Sequence, residues 1–526
     1  MFKNLIEKAQ KENKCIYLSI ESTSSYWSKK MAKECEENSS VRELLKERFI
    51  SVKIDKNERP DIERYYQKVY SLMNRQLGGT PLTLFLTENL EPFYAASYIA
   101  PHAVEQQLGF EELLRVISKK YITDYNTLSK KGQEVLEFIE PKDEQIQATK
   151  LNLNIMKTIE IQSLKLLDKK YGGFTKTPKF HNVTLLELLL DVYLLEKNPN
   201  ILNAITLTLD NMANGGFYDR ENGGFYVYAT KEDWSEAYEV KTTYDNALLS
   251  SLYLRAYQIT QNSHYKEIAL KTIDFMLKER ENSKLFKLKD EKQLCSWNAL
   301  MVKTLFKAGA IDKKYHIYAL ETLESLLSTF YRNGMLYHVE EIKAFLEDYT
   351  ELGEALIVAY QYTLDESFLI MATQFANLIV EHYYQHAKWI FSTNEFKIRE
   401  TIYDRTLPSS LSSALSLLLS ISSLVDVNYK KFVFKTLELH SYNLMRQPLS
   451  SPKLTQMVLR YLKDDIIIKS NINLLKENMD KRERIGYPYI LFKNSNDDAF
   501  QLCNSHSCYA REQSFDKVIS HLESIV

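Results

Sequence analysis

The sequence predicts a chain of unlike parts: an N-terminal α/β sandwich, a long closed ring of helix hairpins, and a short α/β tail. Three observations point there. Over roughly residues 1–125, short apolar strands alternate with amphipathic helices. From about residue 140 to 464, long helical stretches follow one another with short joints. The 526 residues are 45% hydrophobic and 26% charged, which suits a globular protein large enough for several cores.

The elements follow in order. LIEKAQKENK reads as a helix and CIYLSI as a strand. The strand runs into STSSYWSKKM, from which a helix over about residues 28–35 departs. VRELLKERF is helical, and FISVKID alternates apolar and polar residues at the strand period. RPDIERYYQKVYSLMN is a helix with Pro60 near its first turn. LTLFLT and PFYAASY are strands joined by the turn ENLE, and GFEELLRVISKKY closes the set as a helix. The order βαβαββα, with Pro81 just before the penultimate strand, fits a thioredoxin-like sandwich. That match predicts Pro81 to be cis and to face the turn at Ser25 and Ser28.

Beyond residue 140, LLELLLDVYLLEK, DNALLSSLYLRAYQIT and WNALMVKTLFKAGA carry apolar residues round most of their circumference, the mark of helices buried on two sides. About a dozen such helices, paired as hairpins, predict a closed toroid. No residue motif stands out at a fixed period. Residues 465–526 add the strands IIIKS and YPYILFK and a last helix. The expected divisions are therefore 1–125, 140–464 and 465–526.

A formal net charge of −2 gives no electrostatic reason for nucleic acid or an anionic membrane as partner. No apolar run approaches the ~20 residues of a membrane span. The start, MFKNLIEKAQKENK, lacks the apolar core and cleavage site of a signal peptide, so a cytoplasmic location is expected. The five cysteines are too few and scattered for a disulfide framework. Cys503 and Cys508, with His506 between them, have the wrong spacing for zinc and read as reduced thiols. His382 and His386 read as a surface pair, and neither metal nor cofactor is expected.

Two sets of residues bear on chemistry. At the strand-to-helix turn, Ser25 and Ser28 occupy the places where a redox fold keeps two thiols. A hydroxyl neither ionises near neutral pH nor forms a disulfide, so the turn reads as a capped helix start. In the helical region, polar and aromatic residues cluster at successive helix starts. Asp245, Glu347 and Asp348 are the general acid/base candidates. Tyr244, Asn246, Trp297, Asn298, Asp219, Asp404 and Lys179 are the binding candidates, because rings stack on sugar faces while carboxylates and amides meet hydroxyls. Taken singly, each also reads as a helix cap or a core residue.

The chain resembles the spermatogenesis-associated protein 20 family through YLSIESTSSYWSKKM, KIDKNERPDI, GGTPLTLFLT and PFYAASY in its first part. In the second part the resemblance rests on YGGFTKTPKF, GGFYDRENGGFYVY, YDNALL, LCSWNALM, FLEDYTELGEAL and LCNSHSC. It implies a thioredoxin-like domain fused to an (α/α)6 barrel of the six-hairpin glycosidase type. For the barrel it implies a carbohydrate-like small molecule and, if catalytic, isomerase, epimerase or hydrolase chemistry. The family turn Cys-His-Trp-Cys-His is here Ser25, Tyr26, Trp27, Ser28 and Lys29. Ala95 and Ala96 stand where Gly-Gly is usual, Leu411 stands for an Asn, and the Glu-Lys before Tyr-Asp-Asn is disturbed at Val240 and Lys241. The chain also begins later than the family pattern. The resemblance thus implies a divergent member without redox chemistry at this turn. The alternatives are a non-catalytic interaction protein, with a protein partner at the thioredoxin-like surface, and a thiol-disulfide oxidoreductase, against which the two serines argue.

Overall fold

The computed structural model describes residues 2–104, 107–139, 147–288 and 291–525, so the expected start of the barrel at 140 lies outside the described residues. The chain divides into two compact units, Met1–Gln145 and Ile146–Val526.

In the first unit the elements are α1 (Phe2–Glu12), β1 (Cys15–Glu21), α2 (Tyr26–Met31), α3 (Ser39–Arg48), β2 (Phe49–Asp55), α4 (Pro60–Asn74), β3 (Leu82–Leu86), β4 (Pro92–Ala96), α5 (Phe110–Thr123) and α6 (Tyr125–Leu136). The helix leaving the serine turn starts two residues earlier than its sequence suggests, and it runs into a π-turn at Ala32–Glu36. The sheet order is β2-β1-β3-β4, with β1 parallel to β2 and the other pairs antiparallel, which is the thioredoxin-like arrangement. Central β1 is buried on both faces, which explains its apolar run, broken only by the buried Ser19, where edge strand β2 alternates. Tyr17, Phe49, Phe85 and Phe110 pack in a core against α5.

The second unit begins with α7 (Ile155–Leu166), α8 (Val183–Glu196), α9 (Pro199–Asn214), α10 (Thr243–Thr260), α11 (Ser263–Lys278), α12 (Cys295–Gly309) and α13 (Lys314–Phe330). A three-stranded ribbon follows, β5 (Tyr331–Arg332), β6 (Met335–Val339) and β7 (Ile342–Lys343), then α14 (Leu346–Thr363) and α15 (Glu366–Tyr383). A second ribbon, β8 (Tyr384–Gln385), β9 (Lys388–Ser392) and β10 (Ile398–Arg399), leads to α16 (Ser410–Leu424), α17 (Lys430–Arg446) and α18 (Pro452–Lys463). Helices α8, α10, α12, α14, α16 and α18 each pack on the next, and α18 returns to α8. They form a closed inner ring of six. The outer helices α9, α11, α13, α15 and α17 lie against it, and α7 packs between α9 and α17, so the unit is an (α/α)6 barrel.

Burial explains the composition of the inner helices. In α12, 13 of the 15 residues are buried, because the outer helices cover one side and ring neighbours two more. The two that are not are Lys303 and Lys307. Each fully buried Leu, Val, Phe or Met contributes roughly 1.5–3 kcal/mol, which is why such helices tolerate so few polar positions.

One residue motif does recur. Asp168-x-x-x-Gly-Gly-Phe174 and Asp219-x-x-x-Gly-Gly-Phe225 form the same turn, in which Gly172 and Gly223 donate to the Asp168 and Asp219 carbonyls at 2.8 Å. A lysine amine locks each turn. Lys179 reaches Asp168 at 2.6 Å and the Gly172 carbonyl at 2.7 Å, and Lys241 reaches Asp219 at 2.8 Å and the Gly223 carbonyl at 2.7 Å.

The tail holds two strands more than its sequence suggests. It comprises β11 (Ile466–Ser470), α19 (Ile472–Glu477), β12 (Ile490–Asn494), β13 (Phe500–Cys503), β14 (Cys508–Glu512) and α20 (Phe515–Ile525). The sheet order β12-β11-β13-β14, with only β11 and β12 parallel, repeats the pattern of the first unit's sheet. The expectation of reduced thiols at Cys503 and Cys508 is corrected. They face each other across the β13–β14 hairpin and form a disulfide. Among the described residues no helix is long and apolar enough to cross a membrane.

Candidate functional site

At the serine turn, Ser25 caps α2. Its Oγ accepts from the Ser28 amide at 3.2 Å and donates to the Thr80 carbonyl at 2.8 Å. The Thr80–Pro81 bond is cis, so Pro81 does lie beside the turn as the fold match implies. Ser28 is buried and its Oγ accepts from the Ser22 amide at 3.3 Å. The unit's two thiols are elsewhere and inert. Burial pushes Cys15 far above its ordinary range and Cys35 up to about 11.

The candidates at the starts of the inner helices lie inside the wall of the barrel. Asp245 is fully buried near the start of α10. It accepts from Thr242 Oγ1 at 2.6 Å and pairs with His181 Nε2 at 2.8 Å. His181 Nδ1 accepts from the Val183 amide at 3.3 Å, so the proton sits on Nε2, facing the carboxylate. Asp348 holds the same place on α14. It accepts from the Ser296 and Phe345 amides at 3.2 and 2.9 Å and contacts His338 Nδ1 at 2.9 Å. Glu347 lies 3.9 Å from that nitrogen. His338, Glu347 and Asp348 thus form a group with one ligand atom each within 4.8 Å. Both Asp348 oxygens already carry hydrogen bonds, so the group is an internally satisfied network.

Asn246 and Asn298 are matched clamps. Asn246 Oδ1 accepts from the Phe225 amide at 2.7 Å, and its Nδ2 donates to the Phe225 and Thr242 carbonyls at 3.2 and 2.8 Å. Asn298 does the same for Phe286 and Leu294, at 2.7, 3.1 and 3.0 Å. Tyr244 packs on Trp297 with ring centres 4.9 Å apart, in a cluster with Leu294 and Val339. Lys179 and Asp219 hold the two glycine turns. Burial works to raise Asp219, but the Asn222 amide and the Lys241 amine outweigh it and bring its pKa down to about 2. Asp404 joins the starts of two inner helices, accepting from the Ser409 and Lys453 amides at 2.9 and 2.8 Å. Burial pushes it up to about 6.

What the ring encloses is a separate set of residues. A cavity of about 750 Å³ runs inside it, and all six inner helices contribute side chains. Glu187 and Asp191 come from α8, Ser251 and Arg255 from α10, Lys303 and Lys307 from α12. Helix α14 adds Glu351 and Glu354, α16 adds Ser413 and Ser416, and α18 adds Lys453, Gln456 and Arg460. Residues 482–491 line the end where α8, α10 and α14 finish. None of the helix-start candidates is on this wall, though Lys453, bonded to Asp404 through its amide, is.

The charges are paired across helices. Arg255 bridges Glu187 and Asp191, which also accepts from Gln456 Nε2 at 2.7 Å and Tyr489 Oη at 3.0 Å. Lys303 bridges Glu351 and Glu354 at 2.6 and 2.8 Å, and Arg460 holds Asp465 at 2.7 Å. Lys303 and Arg255 are held charged by these partners against their burial. Lys307 differs. Its amine donates to Ser251 Oγ at 2.7 Å, and among the described residues no carboxylate lies within ion-pair distance. Burial, with Arg255, Lys303 and Lys453 nearby and Glu187 opposing, brings its pKa down to about 8. These lumen residues recur three or four positions apart inside otherwise apolar helices, as in Glu187 and Asp191 of LLELLLD, a signal present in the sequence but masked by the apolar majority.

Comparison with known proteins completes the picture. Residues 2–140 match the family model Thioredox_DsbH, described as a protein of unknown function, DUF255. Human spermatogenesis-associated protein 20 is 31% identical over 271 residues, covering 50% of this chain and 34% of the human protein. The mouse protein is 32% identical over 273 residues with the same coverage. The matched segment thus spans about a third of the length of these relatives. Among solved structures, a D-mannose isomerase aligns with a TM-score of 0.46 and 11% identity, over 59% of this chain and 96% of that one. The GH76A α-1,6-mannanase of Salegentibacter sp. HEL1_6 aligns with a TM-score of 0.46 and 13% identity, over 59% and 98%. Along half of its length the chain is similar to spermatogenesis-associated protein 20, and its first domain is a thioredoxin-like DUF255 domain.

Proposed function

We propose that the barrel lumen binds a carbohydrate-like, polyhydroxylated small molecule, and that the serine turn carries out no disulfide exchange. The observation that carries the reading is the cavity of about 750 Å³ with polar side chains from all six inner helices. A ring of paired carboxylates, amines and serine hydroxyls offers donors and acceptors in every direction, as a molecule with hydroxyls on all sides requires. Tyr362, Tyr487 and Tyr489 on the same wall supply ring surface for C–H faces. In this reading the histidine–carboxylate pairs and asparagine clamps at the helix starts hold the walls in register.

The test is thermal stabilisation by a panel of neutral sugars, sugar alcohols and sugar phosphates. A ligand at ~100 Kd adds about 2.7 kcal/mol, which shifts the midpoint by several degrees. Ser416→Phe, which puts a ring into the lumen, abolishes the shift. A panel that stabilises neither the wild type nor any lumen variant overturns the reading.

A second reading rests on the turn itself. Tyr26 and Trp27 are 47% and 48% exposed beside it, with Trp27 packed on Tyr98 and Lys30 over its ring. Aromatic rings held at a surface in this way suit a protein partner.

A further inference from the structure

Two lysines of the inner-helix wall, Lys307 and Lys453, have no carboxylate ion pair among the described residues, and Lys453 is held instead by the Gln456 side-chain oxygen at 3.0 Å. Arg255 and Lys303 each bridge two carboxylates, and Arg460 holds Asp465, whereas Lys307 donates to the Ser251 hydroxyl and, among the described residues, forms no ion pair. It is one of the two α12 residues that are partly rather than fully buried, and it lines the cavity. An amine desolvated among cations and free of a carboxylate partner is the arrangement that keeps a lysine nucleophilic near neutral pH.

We propose that Lys307 forms an imine with the carbonyl of an aldehyde or ketone ligand, the open-chain form of a polyhydroxylated molecule in the lumen. The Nζ lone pair attacks the carbonyl carbon to give a carbinolamine. Loss of water then forms the C=N bond, the departing oxygen carrying off both amine hydrogens. No oxidant, reductant or metal enters. The proposal deepens the reading of the lumen as a sugar-like site and rests on it for the ligand class.

The groups facing the amine set its pH response. Glu187 of α8 favours the charged form, and Arg255 of α10, Lys303 on its own helix and Lys453 of α18 disfavour it. Glu483 of the tail, raised by its own burial, also lies within reach. Burial and the three cations prevail, so the neutral amine accumulates as pH rises through about 8.

The experiment traps the imine on the full chain. The protein is incubated with D-glyceraldehyde and cyanoborohydride, and the modified lysines are mapped by peptide mass spectrometry. Lys307 is expected to be labelled roughly tenfold faster than exposed lysines such as Lys157, with a rate that rises through about pH 8. Lys307→Arg keeps the charge and removes that label alone. Should the variant fail to fold, the wild-type map decides by itself. Glucitol, which has no carbonyl, is expected to slow the labelling. Labelling spread over surface lysines with Lys307 unmodified overturns the imine, while glucitol stabilisation in the thermal assay decides the sugar reading separately.

Discussion

At Ser25 the chain keeps the geometry of a redox turn and omits its reactive atoms. The hydroxyl caps α2 and reaches the Thr80 carbonyl, so a helix N-terminus stands ready to stabilise a thiolate that neither serine can form. The buried Cys15 and Cys35, both raised, do not replace it. Wild-type protein is therefore expected to leave insulin reduction by dithiothreitol at its uncatalysed rate. Ser25→Cys with Ser28→Cys is expected to raise that rate roughly tenfold, since the helix start and its neighbours are retained. Turnover by the wild type would show that a thiol outside the turn is active. The turn was legible in the sequence because a strand, a serine run and a Thr-Pro pair flank it locally. Asp245 was less so, since a carboxylate near a helix start looks the same whether it faces a ligand or, as here, a buried histidine.

Among the elements, the glycine turns show how the barrel loops are fixed. In the Asp219 turn, Gly223 has φ +87°, and a Cβ there would stand 2.7 Å from the Lys271 carbonyl oxygen of α11. Gly223→Ala therefore combines left-handed strain with an overlap against backbone. It is expected to lower stability by about 2–4 kcal/mol in urea unfolding. A loss below about 0.5 kcal/mol would mean that the turn moves freely and does not set the loop. The ring of hairpins was readable because apolar residues cover whole helix circumferences, a pattern that only two-sided burial produces. Strands β13 and β14 were not, because FQLC and CYARE are short and the second of them is largely exposed. The Cys503–Cys508 bridge was missed for the same reason, since only the hairpin register brings the two residues opposite each other.

For the barrel as a whole, closure is the decisive event, and it depends on contacts between α8 and α18, far apart in the chain. Such long-range contacts gain nothing until the intervening hairpins are ordered. Asp191 sits at this seam. Its carboxylate takes Arg255 from α10, Gln456 from α18 and Tyr489 from the tail, so one buried charge joins four elements. The lumen was invisible to a reading of helix starts because most of its charged members, such as Asp191, Arg255 and Lys303, lie mid-helix, and only closure brings them together. Removing Asp191 leaves Arg255 with Glu187 alone and strips Gln456 and Tyr489 of their acceptor, in a place water reaches poorly. Asp191→Ala is expected to cost about 3–5 kcal/mol, the range for one partner lost from a buried ion pair. Asp516→Ala, which breaks two exposed pairs with Lys481 and Arg484, is expected to leave the transition unmoved. Both variants are to be compared by urea unfolding followed in near-ultraviolet circular dichroism, where the ring tyrosines report. If Asp191→Ala shifts the midpoint no more than Asp516→Ala, the seam is held by apolar packing alone and the charged lumen serves the ligand, not the fold.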